Sequence, residues 1–504
     1  MQRIALAIAV GGIVAPVLVA LAHLFDFYGL EHGAGTWVSL ADWARRGQLI
    51  PPISTHGFYA GTRYMPLPVL VQSWLTDLSH NEIAGGRLVS IAGVLVLVTS
   101  MLFAMRRCRL AWAPSLLLTA GVLMTPALGT SIVSIRNDAL PAGLQLLVVA
   151  MLADERIAQS RRMWLLAGVL AGLAVNWKAS AVWCIAAVVL SALLQRRRFR
   201  ELRVNYLAFA GGLIGVLSVG CAFALLATDG RVVENFRELL FSSEYSALDV
   251  GLWVKPYTVA LISGMVVLTP IVFYGLFHLA AGRQVPVLLR ASALCCTLFT
   301  TSIFVDFQGA TVNHLIDLIA LGVVGFAWVT STAWRSTSDD RASTALLTAA
   351  VVVLIGLVGT WYDPLRGALR GEVVPAYSLD NVPVAPGPIL AENPLFDLAV
   401  GQQPVITDTF AFRRLAIKHP ELKDGLIRRI RGHDFAAVVL LSKPGRESSS
   451  WYQDQSMGGE VLDAICTSYH SEALIADGKF ELYLPGRPAA LPVDSPCNQT
   501  ALRY

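Results

Sequence analysis

Apolar runs long enough to cross a bilayer recur along this chain, and no other feature constrains its fold as much. A helix rises about 1.5 Å per residue, so about 20 apolar residues cover a hydrocarbon core of about 30 Å. Runs of this kind, some shorter, fall at roughly 4–24, 84–104, 111–130, 138–153, 163–175, 179–194, 206–227, 257–281, 286–305, 313–333 and 343–361. The expectation is an α-helical polytopic membrane protein of about eleven transmembrane helices. Only 15% of the 504 residues are charged, against about 25% in soluble domains. The first run, 1–24, has one arginine and no small-residue cleavage site, and reads as a retained span.

Arginine placement chooses an orientation. The short connections at 106–109, 154–162, 195–203, 282–290 and 334–341 carry fifteen Lys and Arg, with Arg3 in addition. The alternate connections carry eight: Arg45, Arg46, Arg63, Arg136, Lys178, Arg231, Arg237 and Lys255. Positive residues favour the cytoplasmic side, which puts the N-terminus inside. The same rule folds 163–194 into a hairpin, because a single crossing would put the clusters at 161–162 and 196–198 on opposite faces. The hairpin turn Asn176-Trp177-Lys178 is then recessed below the outer surface. A lysine there needs an anionic partner or a route to water, and snorkelling is the other option.

After residue 361 the apolar runs shrink to strand length at 388–390, 404–407, 436–441 and 480–484, with helical patterns at 410–431 and 460–468. This predicts a transmembrane domain over 1–361 and a small C-terminal α/β domain over 362–504, on the extracytoplasmic side after eleven spans. Cys108, Cys184, Cys221, Cys295 and Cys296 read as small buried residues of the spans. Cys466 and Cys497 can pair if the tail faces an oxidising compartment. There is no evident internal repeat, which weighs against an inverted-repeat transporter.

The segment 25–82 is far longer than a helix connection needs. Its start holds Asp26, Glu31 and His32. Residues 36–46 place Trp37, Leu40, Ala41 and Ala44 on one stripe, an amphipathic interfacial helix ended by Gly47. A second such helix follows Tyr64-Met65-Pro66-Leu67-Pro68 and covers 69–78. Two interfacial helices make a roof over a cavity, in which a carboxylate can take a proton from a hydroxyl acceptor. Each acid can equally be a solvated loop charge. Arg63 and Tyr64 suit a phosphate or sugar hydroxyls, or anchor the loop at the interface. The turn 134–138, the loop 228–256, and Asp306, Gln308, Asn313, His314 and Asp317 lie on the same face, and ionisable residues at membrane depth are functional candidates.

These residues resemble the GT-C type membrane glycosyltransferases, which use polyprenyl-phosphate sugars and include protein mannosyltransferases and aminoarabinose transferases. The resemblance rests on Glu31 in GLEHGAGTW, on SLADWARRGQLI, on Tyr59…Arg63-Tyr64-x-Pro66-Leu67-Pro68 and on Ala84-Gly85-Gly86-Arg87-Leu88-Val89-Ser90. It continues in Arg136-Asn137-Asp138-Ala139-Leu140, in Gly168…Gly172-Leu173-Ala174…Lys178, in Asn313-His314-Leu315 and in the tail text PILAENPLFDLAVGQQPVITDTF. Each motif is short and degenerate, and order and topology carry the likeness over nearly the whole chain.

The resemblance implies a hexosyl or pentosyl transferase of the cell envelope. It takes a polyprenyl-phosphate sugar donor and a glycan, lipid or protein acceptor at the outer face of a bacterial inner membrane, with no nucleic acid partner. Glu31 takes the role of general base, with Asp26 and Asp138 as further catalytic candidates. Arg63, Tyr64, Arg136, Lys178 and His314 are the substrate-binding candidates. Many members carry an Asp, often paired with a second acid, where this chain has Glu31-His32. Some relatives use a divalent metal, and Asp26, Glu31 and His32 are the residues to test for it. The rival classes are a transporter or flippase of lipid-linked sugars, which needs polar residues through the midplane, and a non-catalytic membrane scaffold.

Overall fold

The computed structural model describes residues 2–55, 57–239, 268–282, 285–306, 312–336, 339–379, 385–442, 452, 456–476, 478–486 and 497. The helices in chain order are α1 (Gln2–Ala22), α2 (His32–Arg45), α3 (Pro66–Ser79), α4 (Glu82–Arg107), α5 (Trp112–Leu123), α6 (Pro126–Val133) and α7 (Ala139–Ala153). Next come α8 (Glu155–Ala158), α9 (Arg161–Trp177), α10 (Trp183–Leu194), α11 (Arg196–Glu201), α12 (Arg203–Ala227) and α13 (Arg231–Leu239). Beyond Val267 lie α14 (Leu268–Ala281), α15 (Val287–Asp306), α16 (Ile316–Ser336), α17 (Asp339–Leu369), α18 (Pro394–Ala399), α19 (Thr409–Lys418), α20 (Pro420–Arg431) and α21 (Gly459–Ser468). Six described helices are long and apolar enough to cross a membrane, or seven if the bent pair α5–α6 counts as one. The expected span 257–281 is described from Leu268 onward, and its first part lies outside the described residues.

The chain forms two compact units. The first holds 1–29, 87–223 and 245–373, and the second holds 30–86, 224–244 and 374–504.

In the first unit, α1 packs on α5 and α17, α7 on α9, α10 on α15 and α14 on α16. Small residues make these contacts. Along α1, Ala5, Ala9, Gly12 and Ala15 are buried while Val10, Val14 and Leu18 point outward. That is the reverse of a soluble helix and suits a lipid-facing one, where close backbone approach drives association. The α9–α12 crossing is one close case: a Cβ on Gly168 would collide with the carbonyl of Phe209, and one on Gly212 with that of Leu165. The expected single span at 111–130 is bent by 75° between α5 and α6. Pro126 cannot donate to the preceding turn and pushes Thr125 out of the helical region. Thr125 caps α6 instead, its hydroxyl accepting from Leu128 N at 3.4 Å. Of the span cysteines, Cys221 differs from expectation in being exposed, on α12.

In the second unit, the long first loop folds with the tail. Trp43 Nε1 donates to Thr407 Oγ1 at 3.2 Å, and His32 Nε2 and Thr409 Oγ1 are bonded at 3.1 Å. Tyr59, from the hairpin of β1 (Ser54–Thr55) and β2 (Phe58–Tyr59), bridges in parallel to Ile406. Asn235 of α13 joins them, its Oδ1 accepting from Thr62 N at 2.7 Å. The helix expected at 36–46 is α2, and Gly47 ends it in a left-handed conformation (φ +84°). It is not two-faced, because Ala34–Trp43 are all buried, with α3 and α18 packed against it. The second expected helix is α3. It turns Trp74 (67% exposed) and Leu78 (70%) outward and buries Gln72, Ser73 and Thr76.

The tail sheet runs in the order β3 (Ile389–Ala391), β4 (Ala437–Leu441), β6 (Phe480–Pro485), β5 (Tyr469–Ile475). The pair β3–β4 is parallel and the other pairs are antiparallel. The helix expected over 410–431 breaks at His419-Pro420 into α19 and α20. Strand β5 does not show in the sequence because His470-Ser471-Glu472 interrupts its apolar residues. Cys466 and Cys497 are disulfide-bonded, with Cα atoms 5.3 Å apart.

Candidate functional site

The first unit brings four elements to one carboxylate. Asp138 stands at the head of α7, but its side chain does not cap that helix. Its Oδ1 accepts from Lys178 Nζ at 2.6 Å, and its Oδ2 from Asn313 Nδ2 at 2.8 Å. Lys178 is the residue that ends α9, and the preceding Trp177 donates Nε1 to Asn137 O at 3.1 Å. The end of α9 is therefore tied twice to the start of α7. On the other side, Ser90 of α4 accepts from Arg136 N at 2.8 Å and donates to Arg136 O at 3.0 Å. Arg136 and His314 are close enough to act on the charge of Asp138. The recessed lysine thus has an anionic partner, as costly charges at membrane depth require.

A small cavity opens beside this node. Gln145, Lys178, Ser180, Trp183, Thr300, His314 and Asp317 line it together with apolar residues such as Pro141, Phe299 and Ile303. Asp317 accepts at one oxygen, Oδ1, from Trp183 Nε1 at 2.7 Å and from Gln145 Nε2 at 3.1 Å. Gln145 Oε1 in turn accepts from Cys184 N at 3.3 Å. Three helices therefore fix one carboxylate in the cavity wall.

Asp26, also in the first unit, is held differently. It is buried, with Oδ2 2.7 Å from His23 Nδ1 and Oδ1 accepting from Tyr28 N at 2.9 Å. Arg87, fully buried, approaches Oδ1 at 3.5 Å, donates to Val133 O at 3.0 Å and bonds Tyr28 O. Burial raises the Tyr28 hydroxyl above its usual range, against the pull of Arg87. This arrangement ties the end of α1 to α4. Acting as a base, Asp26 would first have to break that tie.

The remaining candidates belong to the second unit. Glu31 is half-buried at the N-cap position of α2, and its side chain makes no capping bond. Tyr64 packs its ring on Trp37 at 4.3 Å, and Arg63 beside it is half-buried. Asp26, Glu31 and His32 do not make a metal site. A guanidinium stands beside Asp26, and His32 Nε2 is engaged by Thr409. Among the described residues no three His, Cys, Asp or Glu side chains gather as a metal would need.

The structure thus brings Asp138, Lys178, Arg136 and His314 together within the first unit; Asp26 has partners of its own in that unit, and Glu31, Arg63 and Tyr64 belong to the second. Gln145 and Trp183 escaped sequence reasoning. Their only signal was a lone amide and a lone indole in otherwise apolar runs.

The family model for dolichyl-phosphate-mannose-protein mannosyltransferase matches residues 64–221. That stretch includes Arg136, Asp138 and Lys178. No curated protein matches the chain in sequence. Solved structures match in fold. ArnT from Cupriavidus metallidurans, crystallised with undecaprenyl phosphate, is 13% identical with a TM-score of 0.58, over 94% of this chain and 97% of that one. The apo oligosaccharyltransferase of Archaeoglobus fulgidus is 11% identical with a TM-score of 0.52, over 97% of this chain and 75% of that one. The resemblance read from the sequence stands: the fold is that of the GT-C membrane glycosyltransferases, and the chain is a multi-pass membrane protein.

Proposed function

We propose that this chain moves one sugar from a polyprenyl-phosphate donor to a glycan, lipid or protein acceptor of the cell envelope. The observation that carries the reading is the Asp138–Lys178–Asn313 node, with Arg136 and His314 beside it. When the bond between the anomeric carbon and the phosphate oxygen breaks, its electron pair stays on the phosphate, where negative charge grows. Preorganised cations at that point stabilise the transition state, and removing one such donor costs about 10²–10³ in rate. Lys178 suits this task. Asp138 takes one of its three N–H donors and keeps the ammonium aimed, and the cavity wall position leaves the others for phosphate oxygens. Arg136 and His314 are the further phosphate-binding groups, with Arg63 and Tyr64 assigned to the carrier or sugar.

The acceptor oxygen attacks the anomeric carbon from the opposite face and inverts it. Its proton passes to Glu31, which heads α2 and takes the role of the first-loop acid that the resemblance implies. Asp26 is then a positioning residue of the first loop. We place the reaction on the outer face of a bacterial inner membrane, with a transmembrane domain over 1–361 and an extracytoplasmic domain over 362–504. The arginine asymmetry supports this orientation. So does the Cys466–Cys497 disulfide, since such bonds persist in oxidising compartments.

The test incubates membranes holding the chain with labelled polyprenyl-phosphate sugars. The expected result is transfer from at least one donor, abolished in Glu31→Gln at unchanged protein level and carrier binding. Transfer retained by Glu31→Gln would remove Glu31 from the mechanism, and no transfer by the unaltered chain from any donor would remove the reaction itself.

A further inference from the structure

Three helices of the first unit meet at one backbone carbonyl. Ala158 O, at the end of α8, accepts from Trp164 Nε1 of α9 at 2.7 Å and from Asn205 Nδ2 of α12 at 3.1 Å. Trp164 also packs on Tyr206 with ring centroids 4.5 Å apart, and Tyr206 meets Phe199 of α11 at 5.1 Å. This node holds four stretches of chain beside one another, and each carries arginine: Arg156 on α8, Arg161 and Arg162 on α9, Arg200 on α11 and Arg203 on α12. All five are exposed, and among the described residues none of their guanidiniums makes an ion pair or hydrogen bond. The connections 154–162 and 195–203 hold eight arginines against Asp154, Glu155 and Glu201, and Asp154 is already engaged by Arg107 at 2.7 Å. Next to these arginines, α9 exposes Met163, Leu165 and Leu166, and α12 exposes Val204 and Leu207.

We infer that this cluster is a docking surface for the phosphate headgroups of acidic phospholipids, whose acyl chains lie on the apolar residues beside it. The guanidinium fork matches phosphate oxygens two at a time. Each arginine close to an anionic membrane surface strengthens binding by about fivefold. A soluble polyanion would meet the same charge but would leave the exposed leucines uncovered. A change from arginine to leucine within one helical turn is the profile of a headgroup boundary, where long cationic side chains reach outward while their neighbours face hydrocarbon. The inference is independent of the transfer reaction, since it concerns the end of α9 away from Lys178. A lipid held there bridges α9 and α12 and sets the depth of both helices in the bilayer.

The experiment uses the full-length chain purified in detergent and a fluorescent phosphatidylglycerol, with binding read as anisotropy. Phosphatidylcholine with the same chains and label is the comparison. The unaltered chain is expected to bind phosphatidylglycerol at least about fivefold more tightly than phosphatidylcholine. Arg161→Gln with Arg162→Gln brings that ratio toward one and leaves phosphatidylcholine binding unchanged. Arg366→Gln with Arg370→Gln removes the same charge at the end of α17 and leaves the ratio where it was. Arg161→Lys with Arg162→Lys keeps most of the preference, because the charge is kept. If the first pair does not fold, Arg200→Gln with Arg203→Gln carries the test with the same expected result. A preference unmoved by loss of the cluster's arginines, or lowered equally by the pair on α17, overturns the proposal. Displacement of phosphatidylglycerol by an equal concentration of inorganic phosphate overturns it as well, since the surface would then take a soluble anion.

Discussion

Lys178 Nζ donates to Asp138 Oδ1 at 2.6 Å, joining the end of one membrane-level helix to the start of another forty residues away. Both groups are mostly withdrawn from solvent, at 26% and 14% side-chain exposure. Removing one partner of such a pair leaves an uncompensated charge, whereas replacing both can be nearly neutral. Asp138→Asn and Lys178→Met are each expected to lower the melting temperature in detergent, by an amount equivalent to about 3 kcal/mol. The double variant recovers most of that stability and none of the transfer. Transfer regained along with stability would mean that the pair is only a structural tie.

Asp26 and Glu31 are separated by the same logic. Asp26 is enclosed by His23, the Tyr28 backbone and Arg87. Asp26→Asn and Arg87→Met should therefore cost stability, about 3 kcal/mol for the fully buried Arg87. Transfer per folded molecule should stay within about a factor of ten, since proton transfer to a positioned base is itself worth 10²–10⁴. Glu31→Gln should do the opposite, with an unchanged melting curve and no transfer. Single-turnover rates normalised to the folded fraction by size-exclusion chromatography check both halves.

The spans were legible because their signal is local: an apolar run needs no partner to be recognised. Limits appeared where a single residue overrode the run, as Pro126 does between α5 and α6. They appeared again in β5, whose text YHSEALI breaks its apolar residues with His470-Ser471-Glu472. The site was half legible. Arg136, Asp138, Lys178 and His314 stood out as charges at span ends, but their convergence could not be read, since Asp138 meets Asn313 across 175 positions. The first loop likewise reads as a roof over a cavity, and only its partners 364 residues away, such as Thr407 bonded to Trp43, show that it folds with the tail. That shared unit gives the tail a task that the sequence did not suggest: it holds α2, and with it Glu31, in place.

Helix α3 makes a prediction about lipid. Its outward face carries Leu70, Trp74 and Leu78, while Gln72 and Thr76 are buried. An aromatic and two leucines one turn apart on an exposed face suit the headgroup boundary. In bilayers containing brominated lipid, Trp74→Phe should remove a quenchable part of the tryptophan fluorescence. Trp37→Phe, at a position 6% exposed, should not. Equal quenching in the two variants would take α3 away from the membrane surface.

The tail offers a test of pH dependence. Asp397 of α18 is completely buried. Burial raises its carboxyl well above the usual carboxylate range, and the Ala391 backbone draws it back only in part. The unfolded chain, with an ordinary aspartate pKa of about 3.9, gives up this proton at lower pH than the folded chain does. The unfolded state therefore binds fewer protons between the two values, and stability falls as pH rises across that interval. The contribution is complete below about pH 3.9 and is lost as pH climbs through the raised folded value. Asp397→Asn removes the ionisation from both states. The variant should melt at a higher temperature than the unaltered chain at pH 7, and its advantage should shrink steadily as the pH is lowered toward 4. A difference between the two chains that is the same at pH 4 and pH 8 would show that Asp397 is ionised alike in the folded and unfolded states.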